Sequence, residues 1–329
     1  MSTTRRGLGR LWAALGLLIV IVTPGLAAGF DSAIKNNSLA LSPDGTIAVA
    51  SNSEEPGVLV YDVAGGTLRQ RLQGFTTPRN IVFSPDGARF YVSDSGTGRV
   101  TIFEAASGRE VGVIAAGPGA FGTAISADGR HLYINNQAAS TVAVFDTGTL
   151  QAEAVITGFA QPRQGVRLSP DGKTLFVTNF LGDKVTLVDT ATHKIAGEIT
   201  GFDKLRAISV SMDGTTLYAA NSGRNTVSVV DVLGRKITGE VAVGKEPYGA
   251  ALTPDGAYVY SGNLADNSLS VIDTRTRAVV ATVTGLDQPR QAIVFSRDDA
   301  RGFVLNRDLS IAVLDRASNR VTSTIRPSP

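Results

Sequence analysis

From residue 37 onward the chain is written in short apolar runs that alternate with polar positions and break at Gly, Pro, Asp or Asn. Thr226-Val227-Ser228-Val229-Val230 is one such run, and Leu217-Tyr218-Ala219-Ala220 is another. A period of two sends successive side chains to opposite faces, so these runs predict half-buried β-strands. No stretch carries the 3.6-residue period of a substantial helix. The runs come in fours. One precedes a Ser-Pro-Asp-Gly turn, as Ile81-Val82-Phe83 does, and the next ends at Asn or Asp. A third closes on an acidic residue, and a fourth follows a polar turn, as in Ala278-Val279-Val280-Ala281-Thr282-Val283. Ser-Pro-Asp-Gly suits a type I turn, because Pro presets φ at its second position and Gly relieves the fourth.

The set of four recurs. The turn aspartates are Asp44, Asp86, Asp128, Asp171, Asp213, Asp255 and Asp298, at steps of 42, 42, 43, 42, 42 and 43 residues. A second column stands eight residues later at Asn52, Asp94, Asn136, Asn179, Asn221, Asn263 and Asn306. A third holds Asp62, Glu104, Asp146, Asp189, Asp231, Asp273 and Asp315. Repeated four-stranded units of this length predict blades that close into a ring, which leaves only short, protected edges. The expected fold is all-β, a seven-bladed β-propeller of four-stranded antiparallel blades. Its blades fall near 37–76, 77–118, 119–160, 161–203, 204–245, 246–287 and 288–326. The last unit keeps its own fourth run, Val321 to Ile325, so no strand need cross the closure. The repeated Asp and Asn columns read as turn chemistry, since both side chains accept backbone N–H bonds.

The unit resembles the YVTN-type β-propeller repeat of bacterial and archaeal secreted and surface proteins. The signature that ends the second run stands as Tyr91-Val92-Ser93-Asp94, Phe176-Val177-Thr178-Asn179 and Tyr218-Ala219-Ala220-Asn221, and the match covers residues 39 to 326. The resemblance implies the fold. For activity it implies little, because related propellers serve as scaffolds, subunits or enzymes.

Residues 1–28 differ from the rest. Arg5, Arg6 and Arg10 precede a 12-residue apolar run from Leu11 to Val22, followed by Pro24-Gly25-Leu26-Ala27-Ala28. This is the layout of a cleaved signal peptide, and a span of about 20 apolar residues is needed to cross a bilayer. A periplasmic or extracellular protein without a stable membrane anchor is expected, with Thr4-Arg5-Arg6-Gly7-Leu8 partly resembling a twin-arginine signal. Loss of those three arginines takes the net charge from +2 to −1, which does not support a nucleic-acid partner. There is no cysteine, so disulfides and thiolate catalysis or ligation are excluded.

Familiar motifs lead nowhere. Gly117-Pro118-Gly119-Ala120-Phe121-Gly122 fits G-x-G-x-x-G, but it joins two strands with no helix to receive a pyrophosphate. Gly172-Lys173-Thr174 imitates a P-loop end, yet Arg167 stands at the position of its first Gly. His131 and His193 are the only histidines and fall on different blades, and the single Trp, Trp12, lies in the leader. No catalytic residue, metal site or cofactor is assigned, quinone included.

One asymmetric feature stands out. Arg79, Arg163, Arg206 and Arg290 each follow a Gly by five residues in the linkers between blades, where Phe121 and Tyr248 take the corresponding places in two others. Such linkers lead toward the central channel, so these six residues are candidates for a ring at its mouth. Guanidinium forks suit planar oxyanions, while local pairing with Asp203, Asp287 or neighbouring linker carbonyls is the alternative. The expected role is a non-catalytic, monomeric binding scaffold for a protein partner or a small anion. A lactonase-like hydrolase using the same mouth and a cofactor-free structural subunit of a periplasmic oxidoreductase stay open beside it.

Overall fold

The computed structural model describes residues 35–327, so the leader lies outside the described residues. Seven four-stranded antiparallel sheets follow one another along the chain, each made of four consecutive strands. The first comprises Asn37–Leu41, Ile47–Asn52, Val58–Asp62 and Thr67–Leu72. The last comprises Ile293–Phe295, Arg301–Leu305, Ile311–Asp315 and Arg320–Ile325. A single turn of 3-10 helix, Leu264–Asp266, is the one helical element among the described residues, and none of their helices is long and apolar enough to cross a membrane. The expected seven-bladed propeller is therefore the architecture found.

Each blade opens with the anticipated turn. Gly45 N donates to Ser42 O at 2.8 Å, and Gly45 holds a left-handed φ of +74°. Asp44 accepts from Ser42 Oγ at 2.5 Å and from Thr46 N at 3.1 Å, which locks the corner from inside. In the seventh blade Asp299 takes the left-handed position, at φ +59°, that Gly fills in the other copies.

The blades are joined by seven apolar clusters, each drawn from two neighbours. The two middle strands supply most of this core. Every outermost strand is largely exposed and buries one aliphatic residue near its end, as Leu72, Ile114 and Ile325 do. The chain then enters the next blade through a second anchor, such as Phe75, Phe159 or Phe202. The Asn column fastens this step. Asn179 Oδ1 accepts from Ala160 N at 2.9 Å, Asn306 Oδ1 from Asp287 N at 3.0 Å, and Asp94 takes both Thr76 N and Thr77 N.

Closure needs no shared strand. Arg320–Ile325 forms the outer edge of the last blade, paired to Ile311–Asp315. The seam is a packed core in which Leu39, Ala50, Leu59 and Tyr61 of the first blade meet Phe303, Leu305 and Ile311 of the seventh. Burying each such side chain contributes roughly 1.5–3 kcal/mol. The Tyr61 hydroxyl donates to Leu309 O at 2.5 Å across the seam.

Candidate functional site

The first strand of each blade is its innermost, and its N-terminal end reaches the central channel. Arg79, Arg163 and Arg206 are the second residues of such strands, Pro78–Phe83, Pro162–Leu168 and Leu205–Val210, while Arg290 lies just ahead of Ile293–Phe295. A cavity of about 150 Å³ occupies the channel, with Arg163, Arg206, Phe121 and Tyr248 in its wall.

The four arginines do not form the even ring that their spacing suggests. Arg79 is fully buried, with Nε on Ser95 Oγ at 2.7 Å, NH1 on Asn36 Oδ1 at 2.8 Å and its guanidinium 4.6 Å from the Phe121 ring. That is a structural setting. Arg290 donates to Lys35 O at 2.8 Å and sits 5.5 Å from the Tyr248 ring. Arg206 lies over the same ring at 4.7 Å, which keeps these two cations within about 10 Å of each other. At an effective dielectric near 40, like charges about 10 Å apart repel by about 0.8 kcal/mol.

Arg163 and Arg206 are the two of the four arginines that line the cavity. Arg163 is 7% exposed, rests 4.8 Å from the Phe180 ring, donates through a long NH1 contact to Leu205 O at 3.5 Å, and has the Tyr248 side chain as a polar neighbour. Burial pushes its guanidinium down to about 10, with the Arg206 charge adding to the shift and Tyr248 and Asp183 opposing it. Arg206 donates no hydrogen bond to protein among the described residues, and its Nε is buried without a partner. Neither Arg163, Arg206 nor Arg290 forms an ion pair with a carboxylate among the described residues. Asp203 and Asp287 are thus not their partners, whereas the carbonyl that Arg163 meets, Leu205 O, belongs to a neighbouring linker.

Three further residues complete the channel. Between the pairs Pro78↔Asp94 and Ile81↔Val92, two residues of the second blade's inner strand face one. In the fourth blade the pairs Pro162↔Asn179 and Val166↔Val177 leave three facing one. The extra residue is the cost of the 43-residue step, and it turns Gln164 into the channel. Gln164 Nε2 reaches Asn80 Oδ1 at 3.1 Å, and its Oε1 accepts from Asn36 Nδ2 at 3.0 Å and from Gln291 Nε2 at 2.8 Å. Gln291 Nε2 also donates to Asn37 O at 2.7 Å. Amides from the first, second, fourth and seventh blades thus form a waist. The signal was in the sequence: both 43-residue units carry Gln-Pro-Arg-Gln, at 161–164 and 288–291.

Arg167 is the third. It lies four residues beyond Arg163 on the same strand and lines the same cavity. Water reaches it through the channel, yet protein surrounds it closely enough that desolvation lowers its pKa. Its one hydrogen bond to protein is NH1 to Val166 O at 2.8 Å. The equivalent position is Ala or Val in five other units and Ser209 in the sixth, so a lone charge in a column of small residues was its signal. Among the described residues, Lys35, Arg163, Arg167 and Arg206 line the cavity and no Asp, Glu or His does.

A family model for YNCE-like β-propellers matches residues 41–208 and 203–314. The chain belongs to the YNCE-like β-propeller family. The repeat resemblance and the seven-bladed ring agree with that membership. Among solved structures, this YNCE-like propeller is similar to a chain titled Kuenenia stuttgartiensis Hydrazine Synthase. The two share 22% identity over 88% of this chain and 94% of that one, at a TM-score of 0.73, a likeness of fold. No curated protein matches.

Proposed function

We propose that this YNCE-like propeller is a non-catalytic binding scaffold whose channel takes a small oxyanion between Arg163 and Arg206. The observation that carries the reading is a cavity walled by three arginines that form no ion pair with a carboxylate among the described residues, beside Lys35, which pairs with Glu54 at 2.7 Å. Charge of one sign enclosed by low-dielectric walls focuses the field and lacks internal compensation. A carboxylate or phosphate would supply it through charge-assisted hydrogen bonds, for which the uncommitted NH groups of Arg206 are suited. Tyr248 and Phe121 give the pocket flat apolar walls. A hydrolase reading needs a general base beside the substrate, and the described lining offers neither His nor carboxylate. Export through residues 1–28, to the periplasm or beyond, belongs to the same proposal. A soluble exported protein beginning near Ala28 or Gly29 on N-terminal sequencing supports it, and an intact Met1 in the membrane fraction opposes it.

The test is a thermal-shift titration with succinate and with phosphate at low ionic strength. A ligand that binds only the folded state stabilises it by about 2.7 kcal/mol at a hundredfold excess over its dissociation constant. The doubly substituted Arg163→Gln, Arg206→Gln protein should lose that response. If neither anion shifts the wild-type transition at millimolar concentration, the reading fails.

A further inference from the structure

We infer that the channel is built for an elongated dianion, an α,ω-dicarboxylate or its phosphorylated equivalent, held at one end by Arg163 and Arg206 and at the other by Arg167. The inference rests on the oxyanion reading above and extends it from one cationic pole to two. Arg167 is separated from Arg163 by four residues of Pro162–Leu168, which at about 3.3 Å per residue sets them up to about 13 Å apart along the strand. One cavity nonetheless touches both. A single carboxylate cannot serve both poles, whereas a linear molecule with an acid at each end can.

The lower pole has no other evident purpose. Arg167 holds no carboxylate partner among the described residues and donates only to the carbonyl of its own neighbour. Packing does not demand a cation at this position, because six other blades fill it with Ala, Val or Ser. Val82 and Val294, on the inner strands of the second and seventh blades, line the cavity with it. Between the poles, the Gln164–Gln291 waist narrows the channel with amides that are already bonded to one another.

Calorimetric titration with a homologous series from malonate to pimelate, beside monocarboxylates of matching length, tests this on the full chain. The expected result is a maximum at one intermediate length, with the dicarboxylate at least tenfold tighter than its monocarboxylate. Arg167→Gln should erase both the length preference and the tenfold advantage, and Arg167→Lys should restore part of each. Equal binding of mono- and dicarboxylates, or a length preference that survives Arg167→Gln, overturns the inference while leaving the single-oxyanion reading in place. Absence of binding by every acid in the series overturns both.

Discussion

Replacing Arg79 by Leu should destabilise the free protein, and replacing Arg206 by Leu should not, although the two arginines occupy equivalent places in the repeat. Arg79 is fully buried, and its side chain donates to Ser95 Oγ and Asn36 Oδ1 at 2.7 and 2.8 Å. Hydrogen bonds from charged groups contribute about 1.5–3 kcal/mol each, and a desolvated cation–π contact such as that on Phe121 adds up to about 2 kcal/mol. Part of this gross sum offsets the cost of burying the charge. Breaking a buried charged network by removing one member typically leaves a loss of about 3–5 kcal/mol. Arg206 has only the Tyr248 ring beneath it, so its loss should change stability by less than about 1 kcal/mol. Melting curves without ligand read the difference, at roughly 2–4 °C per kcal/mol for domains of 150–250 residues. A drop of at least about 6 °C for Arg79→Leu, with Arg206→Leu close to the parent, is expected. Equal melting temperatures for both variants would refute the division into structural and binding arginines.

The seam and the turns give two further expectations. Tyr61→Phe leaves the buried Leu309 carbonyl without its donor and should cost about 1–3 kcal/mol in chemical denaturation; no change would mean the seam is held by packing alone. The turn carboxylates of Asp44, Asp86, Asp128, Asp171, Asp213 and Asp298 are held below the ordinary range, first of all by the hydroxyl of the preceding Ser. A carboxylate with a lower pKa in the folded state stabilises it above the unfolded value and loses that effect as the pH falls through the folded one. The melting temperature should therefore stay level from neutrality to about pH 5 and fall below about pH 4. Combined Ser84→Ala and Ser211→Ala substitutions should shrink that fall, which a pH series on the variant checks.

The ring was legible because a repeat multiplies weak signals. One Ser-Pro-Asp-Gly predicts a turn, and seven at nearly constant spacing predict seven equivalent corners whose strands must pack side by side. The Asn column was half-read. Its acceptors are expected at turns, where Asn52 and Asp94 act, while Asn179 and Asn306 hold the chain entering their own blades, a contact between segments that spacing alone does not reveal. The site was less legible for a related reason. Equal sequence positions suggested equal roles for Arg79 and Arg206, but Asn36 and Ser95 meet only the first. In the sequence Arg167 stands within an imitated nucleotide motif, which masks it. Comparing it down its own column, where the other six units carry small residues, isolates it at once. Departures from a repeat mark function better than the repeat does, because folding accounts for what the copies share.

The most direct measurement is the anomalous diffraction of a crystal equilibrated with selenate at low ionic strength. Selenate is a tetrahedral oxyanion whose scattering identifies it without reference to shape. Density within hydrogen-bond reach of Arg163 and Arg206, absent from crystals of the Arg163→Gln, Arg206→Gln protein grown alike, is the predicted result. Selenate bound only on the outer surface, with the channel empty of it in the parent crystal, would contradict the account.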